Sequence, residues 1–149
     1  MGYRRLSPQT TYHVAVTRQD DSHALAETRE HAITLNVKRG AGEAGFNAAE
    51  TLLAALGTCL MTNVNAIGAK MRLDIRSARI EIDAVRQDEP PKLTDISYRL
   101  ILDSSEPLDQ LRELQEMCMK WGTVTNTLIS GIVPHGELVI QTQQKNEEL

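Results

Sequence analysis

The longest unbroken pattern in the chain runs from Thr51 to Ala69, TLLAALGTCLMTNVNAIGA, which carries no charged side chain and whose apolar residues surround a helical axis instead of forming a stripe. Asn47 stands where an N-cap belongs and Glu50 falls at the third helical position of a capping box. Ala, Leu and Met then dominate to about Met71, so a long helix is predicted there, buried on nearly all sides. Alternation marks the strands. Thr11 to Thr17 alternates through Tyr12, Val14 and Val16, and Ala32 to Val37 through Ile33, Leu35 and Val37. Ile75 to Arg86 sets Ala78, Ile80, Ile82 and Ala84 against Ser77, Arg79, Glu81 and Asp83. Leu93 to Leu102 repeats the pattern through Ile96, Tyr98, Leu100 and Leu102, and the turn QDEPPK between them predicts an antiparallel hairpin. Ser104 or Ser105 can cap a second helix that starts near Pro107 and places Leu108, Leu111, Leu114, Met117 and Cys118 at helical spacing. Gly122 breaks it, a short helical piece covers Thr123 to Ser130, and a last strand is expected from His135 to Thr142 before a polar tail from about residue 143.

This order of elements predicts a single α+β domain over residues 1–149, with a mostly antiparallel sheet around a long buried central helix and a second helix. One sheet covers only one face of an all-round apolar helix, so a second copy of the chain is the simplest cover for the other. The expected state is a homodimer with this helix near the two-fold axis, where Ala54, Ala55 and Gly57 permit close approach. The 149 residues, 41% hydrophobic and 24% charged, have the balance of one soluble globular domain. A net charge of -4 and only five aromatic residues, Phe46, Trp121 and three tyrosines, exclude a nucleic-acid partner. The uncharged run approaches the length of a membrane span, but Thr58, Thr62, Asn63 and Asn65 favour a helix inside protein, and no membrane partner is expected. Two cysteines are too few for a disulfide framework and the segment MGYRRLSPQT lacks the apolar run of a signal peptide, which predicts a cytoplasmic protein. The glycine-rich KRGAGEAG has no phosphate-loop ending. His13, His23, His31 and His135 show no ligand spacing, so neither a metal nor a cofactor is expected.

Chemistry centres on Cys59. A thiol in an apolar helix is either a small hydrophobe or a protected reaction centre, and the second role needs the thiolate, which apolar burial disfavours. Cys59 lies more than two turns past the helix start, too far for the dipole to help, so a cation must come from elsewhere in the fold. Arg18 in TRQDD and Arg29 in TREH are the candidates near the early strands, each otherwise a solvated surface residue. Glu50 either orients such an arginine by a bidentate pair or simply caps the helix. Trp121, beside Gly122, reads as a core or interface anchor.

The segment NAAETLLAALGTCLMTNV, followed about sixty residues later by KWGTVTNTL, resembles the osmotically inducible protein C and organic hydroperoxide resistance (OsmC/Ohr) family, and the likeness extends from about Tyr12 to Gln141. The family's Pro, Glu, Leu/Ala-rich helix and small-small-Cys pattern reads here as Ala48, Glu50, LLAALGT and Cys59, with Ala48 in place of the proline. The resemblance implies an intertwined homodimer and a thiol-dependent peroxidase of oxidative-stress defence. Cys59 would attack an organic hydroperoxide and become a sulfenic acid, with Glu50 and Arg18 near the family's supporting glutamate and arginine, Arg29 the alternative, and an external thiol as reductant. In the family's second motif, Gly122 stands where the resolving cysteine belongs. Cys118, one turn earlier and displaced by about 6 Å, could resolve Cys59 only if the helix is shifted, since bridged Cα atoms lie within about 7 Å. Without that pair the protein is either a one-cysteine peroxidase or a non-catalytic dimer, a small-ligand-binding scaffold or redox sensor.

Overall fold

A computed structural model describes residues 9–40 and 42–138. Three short strands, β1 (Ala15–Arg18), β2 (His23–Thr28) and β3 (His31–Asn36), lead through a 3-10 turn at Gly42–Ala44 into the long helix α1 (Ala48–Lys70). The hairpin β4 (Ser77–Asp88) and β5 (Pro91–Asp103) follows, then α2 (Leu108–Lys120) and α3 (Thr123–Ser130). The architecture is α+β as expected, with every strand pair antiparallel and the strands divided between a three-stranded sheet in order β1-β2-β3 and the separate β4-β5 ribbon.

The start of α1 is built as its sequence dictates. Asn47 Oδ1 accepts from the Glu50 backbone N–H at 2.9 Å while Glu50 Oε1 accepts from the Asn47 N–H at 3.1 Å, a closed capping box that satisfies two orphan donors. Thr58 and Thr62 donate their hydroxyls to the carbonyls of Ala54 and Thr58, both at 2.8 Å, so these polar side chains are satisfied by the helix that carries them.

Of the four buried residues of α1, Leu56, Leu60, Val64 and Gly68, the first three join Leu114 and Cys118 of α2 in one core cluster. All are spaced by four, so one ridge of each helix meets the other. The opposite wall is β4-β5, whose register pairs Ala78 with Leu102, Ile80 with Leu100, Ile82 with Tyr98 and Ala84 with Ile96, the residues that alternation assigned to one face. Two glycines let α1 settle onto this side: a Cβ at Gly57 would stand 3.3 Å from Ile82 Cδ1, and one at Gly68 would stand 3.2 Å from Ile75 Cδ1. Gly57 therefore faces β4 rather than the bare side of α1, where Ala54 and Ala55 lie exposed.

Several expectations are corrected. α1 is not buried on nearly all sides by its own chain, which covers one face and leaves Leu52 exposed. The first strand begins at Ala15 rather than Thr11, and β2 was not anticipated, because its buried positions are Ala24 and Ala26, small residues of low strand propensity. Neither Ser104 nor Ser105 caps α2, whose N-cap is Pro107 without a side-chain bond; Ser104 Oγ instead donates to the Asp74 carbonyl at 2.6 Å. Residues 135–138 form no strand, and 139–142 lie outside the described residues.

Leu114 is fully buried where α2 meets α1, whereas Asn47 acts at an exposed helix end. Leu114→Ala is expected to cost about 2–5 kcal/mol and Asn47→Ala about 1 kcal/mol, both read as shifts of the urea midpoint at unchanged slope.

Candidate active site

The site forms where the junction of α2 and α3 turns against the middle of α1. α2 ends at Trp121, Gly122 is the N-cap of α3, and two asparagine side chains pin the corner. Asn63 of α1 donates Nδ2–H to the Cys118 carbonyl at 3.0 Å, and Asn126 of α3 donates Nδ2–H to the Lys120 carbonyl at 3.1 Å, so carbonyls orphaned by the end of α2 find partners. The Asn126 N–H closes onto the Gly122 carbonyl at 2.9 Å.

This corner brings Gly122 to Cys59. A Cβ built on Gly122 would stand 3.1 Å from Cys59 Sγ, 2.7 Å from Thr125 Oγ1 and 3.1 Å from Thr125 Cβ. The absence of a side chain at 122 is thus a packing requirement, and the thiol borders the gap. Cys59 is half-buried and Cys118 buried, and both thiols are free. Burial, and secondarily the proximity of Cys59, pushes the Cys118 thiol up to about 11 from an ordinary value near 9.0, so it stays protonated at neutral pH. Thr125 is buried and its hydroxyl has no hydrogen-bond partner among the described residues.

The charged groups expected around Cys59 are not assembled within one chain. The Glu50 carboxylate is engaged in the capping box and forms no ion pair among the described residues. Arg18 lies exposed at the end of β1, opposite Ala24, and Arg29 sits exposed at the β2-β3 turn with φ 52°. Neither is in an ion pair among the described residues, and the three-stranded sheet that carries them packs on the 3-10 turn rather than broadly on α1. Glu50, with Phe46, Ala54, Thr58, Ile80 and Ile82, lines an open groove of about 480 Å³; Cys59 is not part of that lining. Trp121 is 62% exposed, so it is not a core anchor, and Lys120 Nζ lies 5.5 Å from its ring centroid. His23 pairs with Asp20 at 2.8 Å, and no metal-binding cluster of His, Cys, Asp and Glu occurs among the described residues. Sequence reasoning missed Thr125, a residue with no motif of its own; its spacing of three from Gly122 at a helix start was the available signal.

The fold agrees with what comparison finds. The OsmC-like protein family matches residues 40–135. Among solved structures, an OsmC-like protein from Mycoplasma pneumoniae superposes with TM-score 0.76 at 20% identity, covering 82% of this chain and 89% of its own. An OsmC-like hydroperoxide resistance protein from Jannaschia sp. superposes at 0.53 with 16% identity, covering 87% and 93%. The organic hydroperoxide resistance protein OhrB of Bacillus subtilis superposes at 0.56 with 12% identity, covering 79% and 90%. No curated protein matches the chain in sequence. The chain belongs to the OsmC-like protein family.

Two outcomes follow from the corner. Gly122→Ala is expected to destabilise the fold by about 1–3 kcal/mol, because the added methyl meets Thr125 at a distance atoms do not tolerate. Adding Thr125→Ala should recover part of that loss, a non-additivity readable in a double-mutant cycle of urea midpoints. The raised Cys118 thiol means that above pH 9 the unfolded chain sheds a proton the native chain keeps, so its contribution to stability is full below pH 9 and falls as pH rises towards about 11. Cys118→Ala should flatten that alkaline decline in a series of melts.

Proposed function

We propose that this protein is a cytoplasmic, homodimeric, thiol-dependent peroxidase that reduces organic hydroperoxides through the single reactive cysteine Cys59, in defence against oxidative stress. The observation that carries this reading is the placement of Cys59 Sγ, half-buried and 3.1 Å from where a Gly122 side chain would begin. The thiol stands at the joint of the two sequence motifs that define the resemblance, on a fold shared with proteins named for hydroperoxide resistance.

The chemistry balances with one cysteine. The Cys59 thiolate attacks the terminal oxygen of ROOH; an S–O bond forms, the O–O bond breaks, and the departing alkoxide takes a proton from solvent as the alcohol. An external thiol then displaces water from the sulfenic sulfur, and a second external thiol releases Cys59 and leaves as the external disulfide. Cys118 is a poor candidate for the resolving step, being buried and held protonated.

A second copy completes the molecule. Leu52 on α1, Trp121, Val14 just before β1, and Val16 and Ile33 of the three-stranded sheet are exposed in the single chain. In the homodimer, the bare face of α1 lies against its counterpart, and the three-stranded sheet of one copy brings Arg18 towards Glu50 and Cys59 of the other. One observation favours a different reading: with Gly122 in place of a second cysteine, the same dimer could serve as a small-ligand scaffold or a redox sensor.

Exposure of the reduced protein to cumene hydroperoxide, followed by a sulfenic-acid trap and mass spectrometry, separates these readings. Rapid labelling in wild type and Cys118→Ser, lost in Cys59→Ser, is the expected result. No labelling in wild type would overturn the peroxidase reading, and a disulfide lost in both variants would overturn the one-cysteine mechanism.

A further inference from the structure

The polar side chains in the uncharged middle of α1 do not serve alike. Thr58 and Thr62 bond back to their own helix, and Asn65 is exposed. Asn63 reaches across: its half-buried amide donates Nδ2–H at 3.0 Å to the Cys118 carbonyl, 55 positions along the chain. Among the described residues this is the one side-chain hydrogen bond that joins α1 to α2. The carbonyl it meets lies in the last turn of α2, where intrahelical donors run out, and none of the backbone bonds that close the corner goes to it. A carbonyl only accepts, so it is the amide nitrogen that must face it.

The bond sits one helical turn from the sulfur on both sides. Asn63 follows Cys59 by four residues on α1, and Gly122 follows Cys118 by four where α2 gives way to α3. Fixing Asn63 against Cys118 therefore fixes Cys59 against Gly122, where a Cβ would stand 3.1 Å from Sγ, so the backbone at Gly122 covers one side of the sulfur. The neighbouring contact between the helices, Leu56, Leu60 and Val64 with Leu114 and Cys118, is apolar and without direction. A hydrogen bond has a preferred length and angle, and it sets how far the corner closes.

We propose that Asn63 is a positioning residue that sets access to Cys59: its amide latches the corner between α2 and α3 against the sulfur and restricts the thiol to slender reaction partners. With the bond made, the corner is closed on Cys59; with it broken, the corner moves away, and a bulky molecule reaches the sulfur only in that opened state. This deepens the peroxidase reading and rests on it for the identity of the partners, an organic hydroperoxide and then an external thiol, which meet at the same sulfur. Asn63 touches neither the reacting atoms nor a substrate; it acts through Gly122.

The test uses two reagents of one chemistry and different size, methyl methanethiosulfonate and its benzyl analogue, on the full chain, with the rate at Cys59 read by peptide mass spectrometry. The Cys59 thiolate attacks the thioether sulfur and expels methanesulfinate; an S–S bond forms as the S–SO2 bond breaks. The ratio of benzyl to methyl rates thus cancels the fraction of thiolate and reports the room beside the sulfur. Asn63→Leu, which removes the donor at similar volume, should raise that ratio about fivefold, the change that one hydrogen bond makes in an opening equilibrium. Asn63→Asp keeps the shape but, ionised at neutral pH, only accepts, and should raise the ratio as much. Ser104→Ala is the reference for a merely structural loss, because it removes a bond of the same kind, from Ser104 Oγ to the Asp74 carbonyl at 2.6 Å, past the other end of α1. It should lower the urea midpoint and leave the ratio within about twofold of wild type. A wild-type ratio in either Asn63 variant would overturn the proposal, as would a rise of the same size in Ser104→Ala. Should one Asn63 variant fail to fold, the other decides by itself. Thiosulfonates need no peroxide, so failure of the cumene hydroperoxide experiment and failure here are separate results.

Discussion

Everything at the candidate site depends on how α1 receives the corner between α2 and α3. Leu56, Leu60 and Val64 on one helix and Leu114 and Cys118 on the other form a core whose rows of residues are spaced by four, and that core fixes where α2 ends. Asn63 then ties the Cys118 carbonyl to α1 across the last turn of α2. With the end of α2 held, the chain turns at Gly122 and α3 starts beside Cys59. The thiol's environment is thus set by apolar packing first and by two asparagine bonds second. Among the described residues no charged group takes part.

Two cysteines on neighbouring helices have been given different surroundings by this packing. Cys118 lies within the core, where burial holds it as a thiol to about 11. Cys59 is on the flank of α1 beside the cluster, half-buried, against Gly122 at the start of α3. The first environment suits an inert hydrophobe.

The single chain leaves a long apolar helix covered on one face, together with a three-stranded sheet that packs on little besides the 3-10 turn. By length and composition alone, Ala48–Lys70 could cross a membrane, yet its buried row is committed to α2 and its threonines bond back to its own carbonyls. Such a chain has the half-buried Cys59 thiol placed by its own packing, while Arg18 and Arg29 lie exposed on the three-stranded sheet.

Much of the fold was legible in the sequence because it depends on local periods. The Asn47–Glu50 capping box, the pairing of Ile80, Ile82 and Ala84 with Leu100, Tyr98 and Ile96, and the break at Gly122 follow from short-range chemistry that adjacent residues carry. Strand β2 was hidden because its inward residues are alanines, and the capping of α2 because Ser104 found a better partner in Asp74. Cys59 itself was conspicuous as the lone thiol in an uncharged helix. Its surroundings were not, since whether Arg18, Arg29, Cys118 or Thr125 stands beside it depends on which turn of α2 meets which turn of α1. The sequence by itself determined the elements, their faces and the identity of the nucleophile candidate. Only the packing of remote helices decided that a glycine faces that sulfur, because contacts between residues more than sixty positions apart are set by the shape of the core rather than by any local pattern.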